Sequence, residues 1–190
     1  MLGAGDTLNI SAAYTKGASK YNFQDLMPQT WAMYGGTGLA GAYQSVGLAG
    51  VSDAVFSTGG DLQLTETYGF RAGYNHNWNP YWSSGLYGAM GWVHYNGTAA
   101  AGICANAVAL GGFVGTCNPN FDVASVGLIT RWTPVKNLTF SGDLTWSHLN
   151  QNYVGTWALP TQSSIGKPAG VYEAKDQDTI VFLARAQRNF

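Results

Sequence analysis

The chain has 190 residues and a net charge of −1, with only 10% of its residues charged against roughly 25% in an ordinary soluble domain. That balance excludes the clustered basic surface of a nucleic-acid binder. A mean hydropathy of −0.06, with no run approaching ~20 apolar residues, excludes a spanning helix. The 14% of aromatic residues and 26 glycines instead suit a membrane β-barrel, in which lipid-facing and water-facing side chains alternate and cancel in any window average.

Met1-Leu-Gly-Ala-Gly-Asp6 shows neither the charged n-region nor the apolar h-region of a signal peptide. It leads through a Gly5-Asp6 turn into a first strand, where Leu8, Ile10, Ala12 and Tyr14 alternate with Thr7, Asn9 and Ser11. Residues 16–60 lack strong periodicity and read as a long loop. It holds a weak echo (Gly38 to Gly41, Gly47 to Gly50) and a formal GxGxxG match at Gly36, Gly38 and Gly41. That fingerprint needs a buried strand before it and a helix after it, and Trp31-Ala-Met-Tyr34 is too short and mixed to supply the strand.

The second strand sets Leu62, Leu64, Tyr68, Phe70, Ala72, Tyr74 and Trp78 against Gln63, Thr65, Thr67, Arg71, Asn75 and Asn77. Its alternation lasts about seventeen residues, where soluble strands run ~5–6. A short turn at 78–82 brings Trp78, Tyr81 and Trp82 together, as expected at a membrane interface. In the third strand, 82–95, Tyr87, Ala89, Val93 and Tyr95 compete with Leu86, Met90 and Trp92 for the apolar face, so its orientation stays open.

A second long loop, 96–120, carries Cys104 and Cys117, the chain's two cysteines. In an oxidising compartment they read as a disulfide, contributing about 3 kcal/mol by loop-entropy arguments. The fourth strand places Ala124, Val126, Leu128 and Trp132 opposite Ser125, Gly127 and Arg131. After a short turn at 133–137, the fifth places Leu138, Phe140, Leu144 and Trp146 opposite Thr139, Ser141, Asp143, Thr145 and Ser147. A third long loop, 150–174, precedes the closing strand, in which Ile180, Phe182, Ala184, Ala186 and Phe190 face away from Thr179, Arg185, Gln187 and Asn189.

Long and short connections therefore alternate, which is the asymmetry of outer-membrane barrels. The expected fold is an all-β, antiparallel, up-and-down transmembrane barrel. Six strands fall short of the ~8 that bacterial barrels need, so the expectation is one portion of a larger barrel domain across 1–190.

Several stretches resemble the alphaproteobacterial general porins of rhizobia and their relatives: Leu2 to Thr7, Tyr14 to Ala18, Cys117-Asn-Pro-Asn-Phe121, Arg131-Trp-Thr-Pro-Val-Lys-Asn-Leu138 and the segment from Tyr172 to Phe190. The likeness is strongest in the second half and at the start, and weak across 21–60. It implies the C-terminal portion of a 16-stranded homotrimeric porin in the bacterial outer membrane, passing small hydrophilic solutes and ions by passive diffusion. It also implies an aromatic signal, Phe182 and Phe190, read by the barrel assembly machinery. The inward-folded constriction loop of such porins belongs to an earlier part of the barrel. One departure is Leu183, where the resembled pattern tends to place a basic residue beside Arg185.

The pore-lining candidates are Arg71, Arg131, Asp143 and Arg185, and the aromatic girdle comprises Trp78, Tyr81, Trp82, Trp132 and Trp146. The alternatives are an adhesin, a hydrolase barrel or a soluble lipocalin-like binder. A hydrolase would need Asp143, Ser147 and His148 together, yet His148 shares the parity of Trp146 while the other two face away. Asp176 and Asp178 supply too few oxygens for calcium, which wants ~6–8. No catalytic, cofactor or metal site is expected.

Overall fold

Strands that alternate apolar and polar residues present two chemically different faces, and six of them here pair into one antiparallel sheet. The computed structural model describes residues 3, 5–23, 31–36, 43–56 and 60–190. The sheet consists of β1 (Thr7–Lys16), β2 (Glu66–Asn79), β3 (Trp82–His94), β4 (Phe121–Val135), β5 (Leu138–Gln151) and β6 (Gln177–Arg188), each hydrogen-bonded to the next in chain order. The all-β, antiparallel character expected from the alternation is present. Among the described residues β1 pairs with β2 alone and β6 with β5 alone, which leaves the sheet two open edges there.

Register settles the faces. Leu8, Tyr74, Leu86, Leu128, Leu144 and Phe182 stand side by side across all six strands, and Leu86, Leu128 and Phe182 are each more than half exposed. Burying such a side chain is worth about 1.5–3 kcal/mol, so a bare row of them suits lipid better than water. The same register resolves β3. Leu86, Met90 and Trp92 lie on this apolar face, opposite Tyr74, Phe70 and Tyr68, and Tyr87 points the other way.

Trp82 stacks on Trp132 at 5.8 Å and Trp132 on Phe140 at 5.6 Å, at the end of the sheet nearest the short turns. From the Trp82 row to the Trp92 row is about ten residues at ~3.3 Å each; inclined by ~40°, they span roughly 25 Å, the height of a barrel's apolar band. Trp78 and Tyr81 join the same end, Trp78 lying edge-on to His76 at 4.4 Å. Trp146 does not. It lies towards the long connections, stacked on His148, and its Nε1 donates to Asp178 at 3.0 Å.

The short turns are built from local chemistry. The Asn79 side-chain oxygen accepts from the amides of Tyr81 (2.9 Å) and Trp82 (3.0 Å), an Asx-turn. Asn137 adopts the left-handed conformation that the second turn requires.

The long connections are more ordered than their sequences suggest. Strands Trp31–Gly35, Ser45–Ala49, Gly170–Ala174, Val154–Leu159 and Phe113–Thr116 form a second sheet, in that spatial order, drawn from all three connections. Trp31–Gly35 is thus a strand after all. It pairs antiparallel with Ser45–Ala49, while its Trp31 and Met33 pack on one apolar cluster and its Tyr34 on another. Gly36 follows it directly; Gly38 and Gly41 of the GxGxxG match lie outside the described residues.

The stretch read as a cysteine-bearing loop holds a helix, α1 (Gly97–Gly111), capped by the Asn96 side chain on the Ala99 amide at 2.9 Å. Cys104 on α1 is joined to Cys117 by a disulfide, with the Cα atoms 5.8 Å apart. Lys167 is buried, and among the described residues it pairs with no carboxylate. Its ammonium donates to the carbonyls of Pro160 and Pro168 and lies 4.5 Å from the Tyr172 ring, so dipoles and a π face meet its charge.

The closing strand is shorter than its alternation implied. β6 stops at Arg188, and Phe190 lies beyond it, fully exposed, with the Arg188 guanidinium 5.8 Å from its ring. Without a residue opposite it, Phe190 is not held in the ladder; the last bond runs from the Asn189 amide to the Asn137 carbonyl at 2.9 Å.

Candidate functional site

The face opposite the leucine row carries the polar parity, and register sorts it into levels. Next to the short turns, Thr133 and Thr139 share a hydrogen bond of 3.0 Å. The row above contains Asn77, Ser83, Arg131, Ser141 and Arg185. Asp143 belongs to the next row, between Ile129 and Leu183, followed by the row of Tyr87, Gly127, Thr145 and Val181. Arg71 stands one row further, with Ser11, Ala89, Ser125, Ser147 and Thr179. The four charged candidates therefore share one face but three levels; only Arg131 and Arg185 are brought to the same one.

Their partners differ. The Tyr87 hydroxyl donates to Asp143 Oδ1 at 2.7 Å and lies 2.7 Å from Thr145 Oγ1. Arg131 Nη1 donates to Asn75 Oδ1 at 3.3 Å. Arg71 Nη2 donates to the carbonyl of Tyr21 at 2.5 Å. Beside Arg71 and Tyr87 lies an open hollow of about 670 Å³, lined by Asn9, Ser11, Ser125 and Thr145 as well as by Ile10 and Ala89, while Arg131 and Asp143 stand outside it. The Asn9 amide, the Arg71 guanidinium and the hydroxyls of Ser11, Tyr87, Ser125 and Thr145 offer hydrogen bonds to water and small polar solutes there. Ser147 is bonded to Ser125 at 2.7 Å, while His148 lies on the opposite face, bonded to Asp178 at 2.9 Å. The hydrolase constellation is therefore split between two faces.

Tyr87 reaches Asp143 by lying across Gly127. A Cβ at Gly127 would come within 2.2 Å of the tyrosine ring, so only glycine permits the crossing. Gly127→Val is expected to push Tyr87 off Asp143 and destabilise the sheet by about 1–3 kcal/mol, the usual cost of overpacking. A urea-unfolding midpoint measured in lipid vesicles checks this.

Towards the long connections the polar parity turns apolar, and chain folds onto it. Val93, Phe121, Val123 and Leu149, all on the polar-parity face, cluster with Phe23, Ala49 and Val51 from residues 17–65 and with Ala99 of α1. The short helical turn Lys20–Phe23 sits directly on β2: Asn22 Nδ2 donates to Thr67 Oγ1 at 2.8 Å, and a Cβ at Gly69 would come within 2.3 Å of Asn22 Oδ1. The Ser19 amide and hydroxyl both reach Asp53 Oδ1, at 2.7 and 2.6 Å, and hold that carboxyl below the usual carboxylate range. Parts of residues 17–65 thus fold over the polar-parity face of the sheet. The residues that hold them, Asn22, Thr67 and Gly69, had no signal in the alternation.

Among the described residues no group of three or more His, Cys, Asp or Glu could hold a metal ion, and no helix is long and apolar enough to cross a membrane. A family model described as a porin subfamily matches residues 1–183. No curated protein and no solved structure matches.

Proposed function

The chain belongs to this porin family, and from that premise we propose that its sheet is part of the wall of a water-filled channel in the bacterial outer membrane. Small hydrophilic solutes and ions diffuse through it passively, past the polar face. The observation that carries this reading is the sorting of one sheet into a leucine-and-tryptophan face and a hydroxyl-and-arginine face around a hollow. Lipid suits the first and water the second. No bond is made or broken, so the protein acts as a channel rather than an enzyme.

Open edges in lipid leave backbone amides and carbonyls unpaired at several kcal/mol each. The sheet therefore closes with further strands along β1 and β6, as the C-terminal portion of a barrel of about 16 strands. The short turns and the Trp82 row face the periplasm, and the three long connections, with their disulfide, face outward into an oxidising space. The closed protein is a homotrimer, and Phe182 and Phe190 form the aromatic signal for the barrel assembly machinery.

Planar-bilayer recording tests this directly. Channels with steady, stepwise conductance are expected when the sheet is supplied within a chain extended upstream to a full barrel, and none from the 190 residues refolded alone. Silence from the extended chain would remove the channel reading; steady channels from the short chain would show that copies close on one another.

A further inference from the structure

The channel reading above leaves open which solutes the lining favours, and the hollow on the polar face bears on that choice. Its polar lining comes from five consecutive strands: Asn9 and Ser11 on β1, Arg71 on β2, Tyr87 on β3, Ser125 on β4 and Thr145 on β5. Further strands would add at the edges of β1 and β6, which leaves this lining in place. At about 670 Å³ the hollow has the size of a small-molecule site, ~300–1,000 Å³.

The lining is chemically uniform. Apart from Arg71, its polar side chains are amides and hydroxyls, groups that both donate and accept hydrogen bonds. Among the described residues the side chains of Asn9 and Ser11 make no hydrogen bond, and no carboxylate lines the hollow. Arg71 is turned by its Nη2 to the Tyr21 carbonyl at 2.5 Å. An anion only accepts, so it leaves the amide and hydroxyl acceptors unmatched; an ammonium only donates and finds no carboxylate. The hydroxyls of a sugar donate and accept, as the lining does.

The bed of the hollow is bare. Tyr87 lies across Gly127, away from its other row neighbour, Gly73. The nearest atom to a Cβ at Gly73 would be the Tyr87 Cβ, at 3.7 Å, so the space above Gly73 is open. Gly73 and Ala89 on this bed offer carbon surface to the C–H face of a sugar ring, with the polar groups around it. A second hollow of about 260 Å³ shares Ser11 and Arg71 with the first and is lined also by Tyr21 and Asn22, which continues the path towards the long connections.

We propose that this hollow is a binding station for neutral mono- and disaccharides, whose hydroxyls pair with Asn9, Ser11, Ser125 and Thr145. Such sugars then cross the channel by saturable diffusion. The inference rests on the channel reading, and its test separates the two.

D-glucose is titrated into planar-bilayer recordings of the sheet in its closed barrel, and each conductance is divided by the bulk conductivity of the same solution, so that viscosity cancels. The wild type is expected to show a saturable block. Asn9→Ala/Ser11→Ala is expected to raise the half-blocking concentration about tenfold through two lost hydrogen bonds. Sodium gluconate, an anion of the same carbon count, is expected to block more weakly than glucose. Should the double variant fold poorly, Ser11→Ala alone serves, because its side chain makes no bond that folding would lose. A wild-type conductance that merely follows the bulk solution, an unchanged half-blocking concentration in the variants, or a stronger block by gluconate would overturn the sugar station and leave the channel intact. A wild type that forms no channel would overturn both.

Discussion

Leu128→Arg is expected to stop the sheet from folding into a bilayer, whereas Ile129→Arg, one residue along the same strand, is expected to fold. Leu128 lies in the middle of the leucine row and is half exposed. A positive charge near the midplane of a barrel's lipid face costs about 2–4 kcal/mol, a large share of the 5–15 kcal/mol by which proteins are stable. Ile129 faces the hollow side, with Gly85 and Asp143 as its row neighbours. An arginine there has room over the glycine and a carboxylate beside it. Both substitutions remove one branched apolar side chain and add one charge, so only the face differs. The folded fraction in lipid vesicles, followed by urea titration or heat-shifted gel mobility, decides. Equal losses for the two, or a worse loss for Ile129→Arg, would mean the faces are assigned the wrong way round.

Replacing residues 18–64 by a short glycine-serine link is expected to raise single-channel conductance several-fold and to cost stability on the order of 5 kcal/mol. The segment's Phe23, Ala49 and Val51 help to cover Val93, Phe121, Val123 and Leu149, all of them almost fully buried. Without it, four apolar side chains on the water-facing side of the wall lose part of their cover. It also carries the Tyr21 carbonyl on Arg71 and the Asn22 amide on Thr67, so its loss widens the same side of the hollow. An unchanged conductance would show that the segment stands clear of the solute path. The internal tie of this segment is acid-labile. The Asp53 carboxyl is lowered in the fold by the Ser19 hydroxyl and amide, so its contribution is complete above the ordinary carboxylate value and fades as pH falls through the folded one. Conductance of the unaltered channel is expected to become noisier below about pH 3.8, on recordings stepped down in pH.

Much of this was legible in the chain. Where neighbours on both sides of a strand share its alternation, as for β2, β4 and β5, the period of two names the faces without help, because a slip of one residue would turn every leucine into water. The pair of cysteines announced their bond. α1 was legible too: Asn96 as N-cap, an alanine-rich run and Gly112 at its end are the signals of a helix. The apolar loop ends of the polar parity, Val93, Val123 and Leu149, also stood in the sequence as a break in alternation, and they mark where chain folds onto the wall.

By itself, then, the sequence determined the two-faced strands, their up-and-down order and the chemistry of each face, because these depend on spacing within a strand. Only the tertiary structure decided the orientation of β3, whose mixed parity is settled by Tyr74 on one side and Leu128 on the other. It alone placed Arg131 and Arg185 on one level and Arg71 two rows from Asp143, since levels depend on register between strands distant in the chain. And it alone laid Phe23, Ala49 and Val51 over the polar-parity face of the sheet. That choice rests on Asn22 meeting Thr67 over Gly69, a contact between segments that no local pattern encodes.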